Sequence, residues 1–294
     1  MAINPTILRL LKELSKEPTE EDLLELTRLL ILAGYYAPNG AVSKKQNRSL
    51  LLKRASISWE ERDHLLKNPR YAFSLAQDVD KEPRNDTRIC ASKSANFAFR
   101  YALEIDKEPT EETRRGACQS PEYAYKYACQ VDKKPGEETR EGACRDPDWA
   151  LSYARFEKKV HPLTKRYICN FAPEAFAFAK EIQKTPCSET RTGACQNPKY
   201  AFKYALEVDE KAFPETRIAA CKDPSYGYDY AISIDKKAKK STRNSASRNP
   251  RLAFLYAVFL DGKKFHPVTW KGVQNSSFEK RYQEEIAKGK RGSS

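Results

Sequence analysis

Six arginines follow a threonine at regular intervals along this chain: Arg88, Arg114, Arg140, Arg191, Arg217 and Arg243. Arginine presents a rigid fork of donors that fits phosphate or carboxylate two bonds at a time. A column of aspartates, Asp80, Asp106, Asp132, Asp209, Asp235 and Asp261, recurs with the same period. Two readings stay open. The arginines line one edge as a cationic ladder for an anionic partner, or each pairs with an aspartate of its own or the adjacent repeat and pins the stack. A second basic group sits where the pattern breaks: Lys158, Lys159, His161, Lys165 and Arg166. That group would suit an acidic partner.

Other chemistry is sparse. Only three histidines occur, and two of them, His161 and His266, lie in look-alike linkers, "KKVHPLTK" and "KKFHPVTW". No phosphate-binding glycine loop, nucleophile elbow or H-E-x-x-H pair is present. No catalytic residue, metal ligand or cofactor is expected. Cys118, Cys144, Cys169, Cys195 and Cys221 recur at one place in the repeat, and Ser92 and Ser247 fill that place elsewhere. A small side chain is wanted there. Equivalent positions of stacked helices lie roughly 10 Å apart, beyond the roughly 7 Å Cα limit of a disulfide. Reduced, buried, structural thiols are expected.

The repeat positions all of these residues. Its pattern reads T-R-x-x-A-C-x-(D/N/S)-P-x-(Y/F/W)-A-(F/Y)-x-Y-A-x-x-(V/I)-D-K-x-P. The proline after the cysteine, or an alanine in its place, falls at 69, 95, 121, 147, 172, 198, 224 and 250, at steps of 26 with a single step of 25. Eight units cover residues 58–262. Each reads as two helices. Asn68, Ser120, Asp146, Asn197, Asp223 and Asn249 precede the proline and are suited to cap a helix N-terminus, with proline at its first position. The second helix carries alanines three and seven residues past the proline, aromatics two, four and six past it, and a Val or Ile ten past it. That face is too wide for one neighbour. Stacked hairpins can bury it, so the fold class is all-α, an α-solenoid. The aromatics are expected in the core, with tyrosine hydroxyls at its surface.

The unit around residues 155–183 departs in several ways together. One residue is missing, Lys158 replaces the aspartate, and Lys165 replaces the arginine. Tyr167 stands where others have a small residue, Glu174 replaces an aromatic, and Gln183 replaces another aspartate. Either the superhelix kinks here or a partner is read here. Residues 1–57 are expected to form a helical N-terminal cap, with helices near 4–16 and 20–34. Residues 263–288 are expected to be a C-terminal capping half-repeat, and 289–294 a disordered basic tail.

The helix "NPKYAFKYALEVD", Asn197 to Asp209, resembles short helical-hairpin repeats of about 26 residues in uncharacterised proteins of large phages and giant viruses. The resemblance covers residues 58–262 and implies an α-solenoid. It brings no catalytic residues. More distantly the build is similar to HEAT-type arrays, among them HEAT-like DNA glycosylases that cradle DNA on a basic concave face.

Charge and composition bound the function. The chain has 294 residues with 53 basic and 40 acidic side chains, a formal charge of +13. That excess suits an acidic partner or a nucleic acid. The longest apolar run, "LLILAGYYA" at Leu29 to Ala37, is about half a membrane span, and the N-terminus lacks a signal peptide's apolar core. The reading is a cytoplasmic protein that does not bind membranes. The expected function is a non-enzymatic scaffold that binds a protein with an acidic surface. Nucleic-acid binding through a basic face is the alternative, and an enzyme with its site at the irregular unit is a third reading.

Overall fold

A computed structural model describes residues 59–291 of the chain. The N-terminal cap expected at 1–57 lies outside the described residues, as do the last three positions. Among the described residues eighteen α-helices follow one another and there is no strand. The architecture is an α-solenoid of helical hairpins.

The chain divides into two compact units, Met1–Gly142 and Ala143–Ser294. The first contains α1 (Trp59–Leu65), α2 (Pro69–Ser74), α3 (Asn85–Ala91), α4 (Ala95–Tyr101), α5 (Glu111–Ala117) and α6 (Pro121–Tyr127), and the division falls at the end of α7 (Glu137–Ala143). The second contains α8 (Pro147–Glu157), α9 (Pro162–Ile168), α10 (Ala172–Phe178), α11 (Ser188–Ala194), α12 (Pro198–Glu207), α13 (Pro214–Ala220) and α14 (Pro224–Tyr230). It ends with α15 (Lys240–Ala246), α16 (Pro250–Phe259), α17 (Pro267–Val273) and α18 (Glu279–Arg291). Odd-numbered helices are the first of each hairpin and even-numbered ones the second.

The local chemistry explains these boundaries. Asn68, Asp146, Asn197, Asp223 and Asn249 each accept a hydrogen bond from a backbone N–H of the helix they cap, ahead of a proline. Ser120 precedes α6 without a side-chain cap. At the other end, Lys81, Lys107, Lys133, Lys158, Lys184, Glu210, Lys236 and Lys263 all take positive φ, between 51° and 59°. This left-handed residue stops the second helix and turns the chain toward the next hairpin.

Just before that stop the helix widens. Lys81 N–H donates to Ala76 O, Lys184 to Ala179, Asp209 to Tyr204 and Asp261 to Tyr256. These are i→i−5 bonds, with one more residue in the turn than an α-helix holds. In α8 the bond is i→i−4, from Lys158 to Ala154. The missing residue of the irregular unit is therefore the extra residue of the wide turn. This corrects the alignment there: Lys158 is the left-handed stop residue, and Glu157 holds the place of the aspartate.

Inside each unit the packing follows the repeat. Ala98 and Ala124 in the first unit, and Ala175, Ala201 and Ala253 in the second, are fully buried. Small residues on the following first helix meet them. A Cβ on Gly193 would lie 2.5 Å from Cys169 O and 2.8 Å from Ala175 Cβ, so only glycine permits this approach. Rings bridge successive hairpins: Phe73–Phe97 and Phe99–Tyr123 in the first unit, and Phe176–Tyr200, Phe202–Tyr226 and Phe254–Phe278 in the second, at 5.7–6.2 Å between centroids.

The C-terminal residues form a whole hairpin, α17 and α18, rather than a half-repeat. Tyr282 is buried like the tyrosines of earlier hairpins. Helix α18 runs to Arg291, so residues 289–291 continue the helix and do not belong to a tail.

Candidate functional site

The arginine column is not an exposed ladder. In the hairpins that begin with α3, α5, α11, α13 and α15 the arginine of the first helix meets the aspartate that ends the second. Nη2 to Oδ1 distances are 2.8 Å for Arg88–Asp106, 2.7 Å for Arg114–Asp132, and 2.6 Å for Arg191–Asp209, Arg217–Asp235 and Arg243–Asp261. Nε makes a further bond to the same carboxylate each time. Arg62 joins the series with two 2.8 Å bonds to Asp80. The aspartates are almost wholly covered. The hydrogen bond to aspartate outweighs burial and raises each of these guanidinium groups further above its already high value. Arg140 is itself buried. Pairing lies inside one hairpin, and the column serves the frame.

A second clamp lies beside it. Tyr101, Tyr127, Tyr204, Tyr230 and Tyr256 are fully buried. Their hydroxyls lie 2.7–2.9 Å from Thr87, Thr113, Thr190, Thr216 and Thr242. The same hydroxyls accept a backbone N–H and donate to a backbone carbonyl at the start of the first helix. This overturns the expectation of hydroxyls at the surface: each is enclosed and satisfied by its own hairpin. The sequence holds the signal, since the tyrosine follows its threonine by fourteen residues each time.

Hairpin α9–α10 lacks both clamps. Lys165 stands in the arginine position, Gln183 in the aspartate position, and Phe178 in the tyrosine position. Lys165 turns to the next hairpin and pairs with Glu189. The side-chain oxygen of Gln183 is buried without a partner, while its amide nitrogen donates to Thr185 O at 2.6 Å. Tyr167 packs against Cys144, Ala150, Leu151 and their neighbours, where other hairpins place a small residue: Cys90, Gly116, Gly142, Gly193, Ala219 or Ser245.

The basic group of this region separates into parts. Lys158, Lys159 and Arg166 are exposed and, among the described residues, in no ion pair. Lys165 is half-buried and paired. His161 precedes α9 with Nδ1 buried and unpartnered, unlike His266, whose Nδ1 accepts from Val268 N–H.

Sequence reasoning missed Cys187. It stands at the start of α11, 3.3 Å from Thr190 Oγ1. Burial raises its thiol, but hydrogen bonds from Thr190 and Gln183 and the ammonium of Lys165 outweigh that, holding it down at about 7. Cys169 and Cys195, in the repeated cysteine position, are pushed up by burial to about 11. Of the eight thiols, Cys90, Cys118 and Cys144 are buried and the others half-buried, so the repeated position is buried at Cys118 and Cys144 and only half-buried at Cys169, Cys195 and Cys221.

Exposed positive charge collects instead on the loops that join hairpins. Lys81, Lys107 and Lys133 in the first unit, and Lys158, Lys184 and Lys236 in the second, are exposed left-handed residues. In the first unit acids follow them closely: Glu82, then Glu108, Glu111 and Glu112, then Glu137 and Glu138. In the second unit three loops carry basic charge alone, at Lys158–His161, Lys236–Lys240 and Lys263–His266. The helices after them, α9, α15 and α17, have no acid in their first turn.

Among the described residues no group of His, Cys, Asp and Glu is placed to hold a metal ion, and no helix is long and apolar enough to cross a membrane. Comparisons with protein-family models, with curated proteins and with solved structures find no match to this chain.

Proposed function

We propose that this chain is a non-enzymatic repeat scaffold that binds a protein with an acidic surface along the basic loop edge of its second unit. One observation carries this reading: the arginines are committed to aspartates inside the hairpins, while the lysines of the loops remain exposed. A regular row of side chains on stacked hairpins is what extended partners dock against. The use of lysine is itself informative. Glycine suits a positive-φ stop best, and a residue with a Cβ costs on the order of 1 kcal/mol there. Lysine complements the negative end of the helix dipole, worth about 0.5 kcal/mol, which offsets only part of that cost. A role in binding accounts for the rest.

The test uses this same conformation. Lys158→Gly, Lys184→Gly and Lys236→Gly remove charge and relieve the backbone, so the triple variant keeps its fold and melting temperature. Binding of a polyglutamate peptide, followed by fluorescence anisotropy at low and high salt, is expected for the native chain and lost in the triple variant. Unchanged binding refutes the reading. A random single-stranded oligonucleotide is measured alongside. If it binds more tightly, with a steep salt dependence, nucleic acid takes the place of the acidic protein.

A further inference from the structure

The outer side of the second helices carries a further ladder, and it changes character along the second unit. Residue eight of one second helix, counted from its proline or alanine marker, meets residue nine of the next. Arg155 reaches Glu181 at 2.8 Å, and Lys180 reaches Glu207 at 2.6 Å. In the first unit Gln77 reaches Glu104 at 3.2 Å in the same register.

From α12 onward position eight loses the cation it carries as Arg155 and Lys180 in α8 and in the wide turn after α10. Position eight becomes Leu206, Ile232 and Val258, and position nine becomes Ser233 and Phe259. By the register of Lys180 and Glu207, Ile232 stands beside Phe259. These side chains are not drawn into the core: Leu206 is 42% exposed, Ile232 39% and Phe259 65%. Isolated exposed apolar residues need no explanation, but a row that replaces a polar ladder in consecutive hairpins marks a contact surface.

The row adjoins the basic loops. Ile232 lies in the last turn before the left-handed Lys236, and Phe259 ends α16 four residues before the left-handed Lys263, so the row runs up to two basic loops. Lys236, Lys237 and Lys264 add exposed charge at this end, and among the described residues none of the three is in an ion pair. Lys263 pairs with Glu285.

We infer that Leu206, Ile232 and Phe259 receive the apolar side of an acidic amphipathic segment of the partner, whose carboxylates face Lys236, Lys237 and Lys264. Beside Leu206 the stop residue is Glu210, but beside Ile232 and Phe259 the loops are basic, and this basic border repels a basic segment and rewards an acidic one. The inference rests on the proposed scaffold reading and names the kind of segment bound.

The test separates the two. An amphipathic peptide with leucine and phenylalanine on one helical side and glutamate on the other is compared with polyglutamate of equal charge. The native chain is expected to bind the amphipathic peptide about tenfold or more tightly. Ile232→Ser with Phe259→Ser is expected to abolish that difference and leave polyglutamate binding unchanged. Both positions are exposed, and circular dichroism verifies the fold. Equal binding of the two peptides, or no effect of the double variant, overturns the inference while the scaffold reading stands. Failure of both peptides overturns both. Binding to vesicles of phosphatidylcholine and phosphatidylserine in preference to the peptide, lost in the double variant, assigns the strip to a lipid surface instead. Self-association of the native chain in sedimentation velocity, lost in the same variant, assigns it to a second copy.

Discussion

Lys165 and Gln183 occupy the two positions that an arginine and an aspartate bridge in neighbouring hairpins, and Lys165 pairs with Glu189 of the next hairpin instead. Phe178 removes the tyrosine–threonine bond from the same hairpin. Hairpin α9–α10 therefore relies on apolar packing between its helices, around Ile168 and Phe178, where hairpins such as α11–α12 and α13–α14 add two polar clamps. Hydrogen exchange should find α9 the least protected first helix of the second unit, since local opening follows the interactions that an element lacks.

Restoring the clamp should stabilise the chain. Lys165→Arg with Gln183→Asp is expected to raise stability by about 1 kcal/mol, the scale of a charge-assisted bidentate bond after desolvation. Chemical denaturation and exchange at α9 both read it. The opposite change, Asp209→Ala, leaves Arg191 half-buried without its carboxylate and is expected to cost about 3 kcal/mol. A double variant that gains nothing would show that the clamp contributes geometry without stability.

Gly193→Ala tests the close approach of successive hairpins. Its Cβ would meet Cys169 O at 2.5 Å, a backbone atom that cannot turn aside. The hairpins must separate, with an expected cost of about 2–3 kcal/mol and a lower thermal midpoint. Tyr167 in the preceding first helix shows how the chain accommodates bulk at this register: the ring packs along the neighbouring cluster and meets Phe171 at 5.5 Å between centroids, tilted by 46°.

The hairpin repeat, its capping residues and its proline positions were legible because they are local chemistry repeated at a fixed step. The arginine and aspartate columns were equally visible, yet the choice between an exposed ladder and internal pairs needed the fold. Eighteen residues separate the partners, and only the turn between helices decides whether they face each other. The wide turn was invisible for a different reason. It leaves no residue type behind, and its one trace is the missing residue before Lys158, which without coordinates reads as a lost aspartate. Cys187 escaped notice because it lies outside the repeated cysteine column. Its environment comes from nearby Gln183 and Thr190 and from Lys165, which only the fold brings beside it.

Cys187 should be the most reactive of the eight thiols. The thiolate is the nucleophile, and a thiol held at about 7 is half ionised near neutral pH. Alkylation by iodoacetamide is expected to rise through pH 7 at Cys187, while Cys169 and Cys195, at about 11, stay slow across that range. Peptide mass mapping against pH reads this directly. The sign for stability follows from the lowered value. The contribution is fully present above the ordinary thiol range of about 8.5 and is lost as pH falls through about 7. Lys165→Ala removes the facing ammonium and should shift the alkylation midpoint upward.

The end of the stack is closed by two polar residues. The position after the buried tyrosine is a fully buried alanine in earlier hairpins of this unit, at Ala205, Ala231 and Ala257, where the next hairpin leans on it. In α18 that position is Gln283, which is exposed, and the position three before the tyrosine is Glu279 instead of an alanine such as Ala201 or Ala253. A polar outer side is what keeps a terminal repeat from recruiting another. Gln283→Ala with Glu279→Ala recreates the small apolar surface of an internal hairpin. Glu279 also accepts Asn275 N–H at 2.7 Å, so some fraying of α18 accompanies the change. The single variant Gln283→Ala isolates the surface effect. Both variants are expected to self-associate with concentration in sedimentation velocity, the double more strongly, while the native end does not associate through this face. Retention of the native sedimentation profile by both would show that charge elsewhere on α18, and not these two positions, closes the stack.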